Sequence, residues 1–379
     1  AAKCTAVLHT LRLLRATFPD RVRALPPDWA ARDARRPCDA QHFRAGPDRA
    51  DGFRPKRRAH DAIAETRHLA SNTYEWLVEG GDIEACFDTI DHAGLMDRVR
   101  RRVGDRRVLS LVKAFLKAGI LSEGGALRDT NTGTPQGGIL SPLLANIALT
   151  VLDEYVTNLP GGPTTTPARR VGRRRRGEPN LRSVRYADDF LVLVSVTREH
   201  CEVLRGEVAA VLAPMGMRLS TEKTRITHID EGLDFLGWRI QRHRKRGTDR
   251  HYIYTYPAKK SVRATARKVK VACRMDVNQP LPDLLRQLNP RLRGWCAYFR
   301  PGVSSTTFQY LHHIVWHQVW KWIRRKHRRT HWKELNRRYY DGRGWPTCED
   351  ITLFDPEKVR TRRYRYRGTV IPPPWPTEG

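Results

Sequence analysis

No apolar run in this 379-residue sequence approaches the length of a bilayer-spanning helix. The longest stretches, such as 190–194, fall far short of the roughly 20 residues required, and no segment has the pattern of an amphipathic anchor. No membrane partner is expected. Cysteine is sparse as well: seven residues, at 4, 38, 86, 201, 273, 296 and 348, with no CxxC pair and no zinc-ligand spacing. An odd, scattered set argues against both a disulfide framework and a zinc finger and fits a reducing cytoplasm. The chain starts at Ala1 without a signal-peptide pattern, as expected of a fragment.

Acidic residues are the third shortage, 40 against 70 Lys plus Arg, a net charge of +30. The resulting pI of about 10.5 is far beyond what solubility needs, so the expected partner is a polyanion. A hydrophobic content of 40 % with 8 % aromatics is enough to fill a core. A chain of this length holds two or three domains at roughly 100–200 residues each.

Residues 1–50 stand apart in composition: Ala, Arg and Pro dominate, while Ile, Tyr, Asn, Ser and Glu are missing. The mixture has neither helical nor strand periodicity, and the break falls near Gly52. Orderly text begins near 59. Ile63, Leu69 and Leu77 are helically spaced, Gly80-Gly81 breaks the run, and 82–87 reads as a strand. Residues 95–118 read as helix. Ser141 caps a further helix, with Pro142 at its first position and a stripe of Leu143, Ile147, Val151 and Tyr155, with Leu144 and Leu152 beside it. Residues 160–180, rich in Arg, Gly, Thr and Pro, read as an inserted basic surface loop.

Two β-rich runs, 181–186 and 190–196, then flank Ala187-Asp188-Asp189 and predict a hairpin with adjacent acids at its tip. A helix over 199–214 and strands over 224–229 and 233–240 complete this part. Beyond Tyr256 the chain turns helical and basic. Residues 291–345 hold six of the ten tryptophans. The spacing predicts a helix that buries Trp316, Val319, Trp320 and Ile323 and leaves Arg324, Arg325, Lys326, Arg328 and Arg329 wet. The last stretch, 346–379, reads as an extended basic tail.

Asp82, Asp188 and Asp189 carry the sharpest chemical signal. Adjacent carboxylates among apolar neighbours repel, at a cost that bound cations remove. Two magnesium ions about 3.5–4 Å apart on such carboxylates would activate a 3′-hydroxyl and stabilise a departing pyrophosphate. Taken alone, the acid pair is better read as a solvated turn.

The blocks around these acids decide between those readings. Tyr186-Ala187-Asp188-Asp189 resembles the catalytic motif of reverse transcriptases. Gly52-Phe53-Arg54-Pro55 with His60-Asp61-Ala62-Ile63 resembles the finger-to-palm segment of group II intron reverse transcriptase/maturases. Asp82-Ile83, Phe87-Asp88 and Ile90-Asp91-His92 are similar to their first catalytic block. Thr134-Pro135-Gln136-Gly137-Gly138, running through Ser141-Pro142-Leu143 to Asn146, is similar to their nucleotide-binding block. Leu288-Asn289-Pro290, Arg293-Gly294-Trp295 and Tyr298-Phe299 resemble their maturase (thumb) domain. The resemblance covers 52–345 in the family's order.

It implies an α+β fold: a right-hand polymerase palm of antiparallel sheet plus helices with partial fingers over 52–240, then an α-helical thumb/maturase domain over 256–345. The implied activity is RNA-directed DNA synthesis coupled to intron RNA binding and assistance of splicing and mobility. The implied partners are intron RNA, an RNA template with DNA primer, deoxynucleoside triphosphates and target DNA.

Carried over, Asp82, Asp188 and Asp189 are metal ligands, joined by the backbone carbonyl of Ile83. Phe87 matches the ring that excludes a 2′-hydroxyl; its alternative is packing in the palm core. Gln136, beside Gly137, matches the contact to the incoming nucleotide; its alternative is an ordinary turn. Lys223 matches the acid that protonates pyrophosphate, or is a solvated lysine. Phe235-Leu236-Gly237-Trp238 resembles the primer grip, or is packing. Arg291, Arg293, Arg324, Arg325, Lys326, Arg328 and Arg329 are the expected RNA-binding cations.

The fingers motifs expected upstream of Gly52 are not recognisable in 1–50, which predicts out-of-frame or degraded coding sequence there. Reading all three frames upstream tests this; an intact frame without fingers motifs contradicts it. No endonuclease pattern follows 345, so nicking of target DNA is not assigned. The competing classes are a non-catalytic RNA-binding maturase and an inactive fragment.

Overall fold

The computed structural model describes residues 52, 57–80, 83–84, 86–117, 120–121, 127–128, 132–134, 140–220, 224–340 and 344–368. They form two compact units: residues up to Ile229 together with 366–368, and Asp230–Arg365.

In the first unit, α1 (Ala59–Ala70) leads into β1 (Trp76–Gly80), the short α2 (Cys86–Thr89), α3 (His92–Arg100) and α4 (Arg106–Leu116). A two-residue pair, β2 (Ile120–Leu121) and β3 (Leu127–Arg128), precedes α5 (Ser141–Asn158) and α6 (Pro167–Arg175). Then come β4 (Asn180–Tyr186), β5 (Asp189–Ser195), α7 (Arg198–Leu212) and β6 (Thr224–His228).

The four long strands form one antiparallel sheet in the order β4-β5-β1-β6. The β-branched and aromatic run 190–194 is almost wholly buried, as a central strand requires. Helices α5 and α7 pack on this sheet. Their buried residues join Val78, Phe190, Val192 and Val194 in one core with Leu95, Met96 and Leu116.

Several sequence expectations shift. The first strand, Trp76–Gly80, ends on the first glycine of the pair, and the helical turn Cys86–Thr89 overlaps the end of the stretch read as strand. Leu77 therefore belongs to a strand, where a short apolar run leaves the period ambiguous. The helix expected over 95–118 is two, because Asp105 caps a new one through Arg107 N. Leu140 is the N-cap of α5, one residue ahead of the expected start. Its buried face holds Leu144, Ala148 and Leu152, with Ala145, Leu149 and Val156; Leu143 is 48 % exposed. The stripe is thus turned by one residue. Residues 160–180 are not a plain loop: Thr166 caps α6, and Arg173 and Arg176 both pair with Glu178.

Gly80 is dictated by its neighbour. It pairs with Phe190, and a Cβ built there would lie 2.0 Å from that ring. We expect Gly80→Ala to cost about 1–3 kcal/mol by overpacking. A thermal melt indistinguishable from the parent would contradict this.

The chain also returns to α1 at residues 366–368. Arg367 forms a fork on the buried carboxylate of Asp61 at 2.9 and 2.5 Å. Tyr366 stacks on His68 at 4.5 Å and donates its hydroxyl to Glu65.

The second unit begins with a three-stranded antiparallel meander, β7 (Leu233–Phe235), β8 (Trp238–Arg244) and β9 (His251–Pro257). The strand expected over 233–240 is split by a two-residue turn with Leu236 at φ 50° and Gly237 at φ 79°. Helices α8 (Lys259–Met275), α9 (Leu281–Phe299), α10 (Ser305–Lys326) and α11 (Trp332–Tyr339) follow. The chain after 345 holds the short pair β10 (Thr347–Cys348) and β11 (Ile351–Thr352), more structure than the expected extended tail. Among the described residues no helix is long and apolar enough to cross a membrane.

Among the described residues Cys86, Cys201, Cys273 and Cys296 are buried and outside any disulfide. Burial pushes the thiols of Cys201, Cys273 and Cys296 up to about 12. Their thiolates are scarce at neutral pH, so these three are expected to resist alkylation in the native chain and react only on unfolding. Rapid native labelling of any of them, read by mass spectrometry, would contradict the packing described here.

Candidate active site

The sheet register builds the site. Tyr186 pairs with Asp189, leaving Ala187 and Asp188 as the two-residue tip of the β4–β5 hairpin. One position further along, Arg185, Phe190, Gly80 and Thr224 form a row across all four strands. At that end of the sheet the chain leaves β1 toward Asp82 and enters β6 from Lys223. Asp82 and Lys223 themselves lie outside the described residues, as do Gln136 and Gly137. Ile83 is buried and bridges Leu219, and Glu84 N donates to Arg218 O at 2.9 Å.

Asp188 and Asp189 are half-exposed at the tip. Among the described residues no Lys or Arg pairs with Asp188. Two adjacent, half-exposed carboxylates are hard oxygen donors, so the donor set fits a divalent cation.

Phe87 sits on α2, half-buried against the core. Its carbonyl accepts from Thr134 N at 2.5 Å. Nearby, Gly133 N donates to Ile90 O at 2.7 Å, and the His92 ring bonds Gly133 O at 2.6 Å. These bonds tie the segment containing Phe87 to the start of the Thr134-Pro135-Gln136 block. The backbone of Phe87 and the first residue of that block are therefore neighbours, although 47 positions separate them in sequence.

Within the second unit, the Phe235-Leu236-Gly237-Trp238 hairpin is held by packing. Phe235 and Trp238 are buried, and Trp238 meets Phe299 at 4.8 Å and Tyr298 at 5.8 Å. Tyr298 donates its hydroxyl to Leu236 O at 2.9 Å, and Ala258 N donates to Gly237 O at 2.9 Å. Only the turn itself, half-exposed Leu236 and exposed Gly237, faces outward. Asn289 anchors the later chain by donating to Thr352 O at 2.9 Å and accepting from Phe354 N at 2.7 Å.

The cations divide. Arg291, Arg293, Arg325, Arg328 and Arg329 are exposed, while Arg324 is half-buried and donates to Thr330 O at 3.3 Å. Arg325 also donates to the carbonyl of Cys273. Lys326 is a correction to the expectation of a wet cation. Its Nζ donates to the carbonyls of Val277, Asn278 and Gln279 at 3.2, 3.0 and 2.7 Å, which uses all three ammonium protons inside the unit.

The tryptophan face of α10 is corrected too. The buried ring is Trp322, donating to Asp276 O at 2.9 Å, whereas Trp316 and Trp320 are half-exposed. Also in this unit, His312, Asp355 and Glu357 place ligand atoms within 4.8 Å of one another. His312 Nδ1 already bonds Asp355 at 2.8 Å, with Lys358 3.6 Å from the same carboxylate, so the cluster staples the later chain to α10.

Sequence reading missed one set of residues behind the hairpin. Arg185, Asp153 and Asn146 are charged or polar, buried and mutually bonded. The available signal was an arginine inside an otherwise apolar strand, opposite an aspartate on the core side of α5.

An antiparallel four-stranded palm with an Asp-Asp hairpin, followed by a basic helical unit, defines a nucleic-acid polymerase class. The family model for reverse transcriptase (RNA-dependent DNA polymerase) matches residues 27–240, beginning within the segment whose composition stands apart. The model for the group II intron maturase-specific domain matches residues 262–340. The chain belongs to the reverse transcriptase family, as a group II intron reverse transcriptase/maturase.

It is 34 % identical over 232 residues to Protein YkfC of Escherichia coli K12, covering 55 % of this chain and 59 % of that one. It is 29 % identical over 385 residues to the group II intron-encoded protein LtrA of Lactococcus lactis subsp. cremoris, covering 84 % and 63 %. The chain thus spans about three fifths of the length of these relatives. A solved telomerase from Candida albicans is a remote likeness, at TM-score 0.39 and 11 % identity over 78 % of this chain and 53 % of that one.

Proposed function

We propose that this chain is an RNA-directed DNA polymerase of a group II intron, which also binds intron RNA and assists splicing and mobility. The observation that carries the reading is the sheet register. It gathers the Asp188–Asp189 hairpin, the exit from β1 toward Asp82 and the entry to β6 from Lys223 at one end of one sheet. Asp82, Asp188 and Asp189, with the carbonyl of Ile83, would hold two magnesium ions. When bound, these supply activation of the primer 3′-hydroxyl and neutralisation of the departing pyrophosphate.

The chain's own residues do the rest. In the reaction, the 3′-oxygen forms a bond to the α-phosphorus of a deoxynucleoside triphosphate while the bond to pyrophosphate breaks. Lys223 gives a proton to that leaving group. Gln136 and Gly137 contact the nucleotide. Phe87 fills the space a 2′-hydroxyl would need. Outside the palm, Arg291, Arg293, Arg328 and Arg329 hold RNA phosphates. Target DNA is the further substrate this reading implies.

The test is sugar selectivity. Phe87→Ala is expected to raise ribonucleotide relative to deoxynucleotide incorporation by roughly 10–200-fold, the scale at which a pocket discriminates by size. Unchanged selectivity would assign Phe87 to packing.

RNA affinity is expected to fall steeply with salt, because phosphate contacts release counterions. With 6–10 contacts the loss between 50 and 200 mM is about 10³–10⁵-fold. A flat dependence would contradict binding by the basic surface.

A further inference from the structure

Behind the hairpin tip lies a buried arginine whose bonds reach α5 and the tip itself, and through Asn146 the backbone of Gly52. Arg185 of β4 is 1 % exposed. Its Nε donates to both Asp153 oxygens at 3.1 Å, and its Nη2 donates to Asp153 Oδ2 at 2.5 Å. Its Nη1 donates to Asn146 Oδ1 at 2.9 Å and to the carbonyl of Ala187 at 2.9 Å. Asn146 in turn donates through Nδ2 to Gly52 O at 3.1 Å. Gly52 lies so close to the tip that a Cβ there would sit 2.2 Å from Ala187 N.

Packing alone does not require this arrangement. An ion pair fully withdrawn from water is matched or bettered in stability by apolar residues of similar volume. What a hydrophobic pair cannot do is hold the Ala187 carbonyl. Ala187 adopts φ 59°, a left-handed conformation that costs a residue with a Cβ about 1–3 kcal/mol and persists only when its surroundings impose it. The planar guanidinium supplies fixed, divergent donors: one edge is clamped by Asp153, so the remaining nitrogen is aimed at Asn146 and Ala187. Lysine, with one nitrogen and no plane, cannot span the same acceptors.

We infer that Arg185 is a positioning residue for the polymerase reaction. With Asp153 and Asn146 as anchors, it fixes the turn at Ala187 and so sets where the carboxylates of Asp188 and Asp189 stand. This rests on the reading of those two acids as metal ligands. Supporting groups of this kind, when removed, weaken metal binding or activity by about 10–100-fold.

The experiment titrates Mn²⁺ into the full chain bound to primer–template and reads free Mn²⁺ by electron paramagnetic resonance. A thermal melt and single-nucleotide extension accompany each titration. The main variant pairs Arg185→Met with Asp153→Leu, which keeps the volume buried and leaves no orphaned charge. The expected result is a cooperative melt, primer–template affinity within twofold of the parent, and Mn²⁺ affinity at least about tenfold weaker. Extension at saturating nucleotide should fall by at least as much. A variant that melts cooperatively and binds Mn²⁺ within twofold of the parent overturns the proposal.

Should that variant not fold, Asn146→Ala decides, because it leaves the Arg185–Asp153 pair in place. Weakening of Mn²⁺ binding by about threefold or more supports the role, and unchanged binding overturns it. The Asp188→Ala/Asp189→Ala chain is the reference for failure of the underlying reading. If the parent binds no more Mn²⁺ than that reference, the metal-site reading fails and the positioning role falls with it.

Discussion

Asp153→Ala will destabilise the first unit by about 3–5 kcal/mol, because it leaves the Arg185 guanidinium buried without a counter-charge. Arg185 is 1 % and Asp153 5 % exposed, so water cannot replace the lost carboxylate without opening the contact between α5 and β4. For a unit of this size each kcal/mol shifts the melting temperature by roughly 2–4 °C, so a drop of roughly 6–20 °C is expected. The paired change Arg185→Met with Asp153→Leu should be far milder, since both charges leave together. Exposed pairs such as Arg100–Asp97, at 2.5 Å, should lose less than about 1 kcal/mol on the same truncation. If Asp153→Ala melted within a degree or two of the parent, the pair would be solvated and the burial described here wrong.

Trp238→Ala will destabilise the second unit by about 3–5 kcal/mol, the cost of truncating a fully buried tryptophan. Its ring is 0 % exposed, packed on Phe299 at 4.8 Å, and approached so closely by Gly302 that a Cβ there would lie 2.2 Å from it. The aromatic contacts add to the area term. This prediction separates the two readings of the Phe235-Leu236-Gly237-Trp238 segment. A ring that packs the hairpin onto α9 shows its loss in a melt, and Trp238→Phe recovers most of it. A ring that touches primer would show its loss in primer affinity with little change in melting. The packing account predicts the first pattern, and the turn at Leu236–Gly237 is then the part of this segment that is free to meet nucleic acid.

Much of this architecture was legible from residue patterns. The hairpin around Asp188 and Asp189 is announced by two β-rich runs flanking polar residues, and its strands match the expected ones closely. Helix α7 and strand β6 were equally plain. Misreadings arose where local pattern is ambiguous and tertiary context decides. Leu77 fits a helical spacing, yet its segment pairs with β5 and β6, which a short apolar run does not reveal. On α5 two adjacent stripes are apolar, and only packing against the sheet selects the one through Leu144, Ala148 and Leu152.

The site shows the same division. The acids are legible through the blocks around them, because the pair alone reads as a solvated turn. Their supporting residues are not. Arg185 lies next to Tyr186 in sequence, but Asp153 and Asn146 are 32 and 39 positions away, and the bonds among them are set by helix-on-sheet packing. Lys326 illustrates the converse: a lysine at the end of a basic helix looks solvated until the loop of carbonyls at 277–279 folds against it.

Asp188 and Asp189 are proposed to support template-directed DNA synthesis by this chain. Primer extension on an RNA template, with magnesium and deoxynucleotides, tests it most directly when the parent is compared with Asp188→Ala/Asp189→Ala after both are shown to bind RNA equally. The expected result is extension by the parent and none by the variant. Equal extension by both would contradict it, and tight RNA binding by a parent that extends no primer would leave an RNA-binding maturase in place of a polymerase.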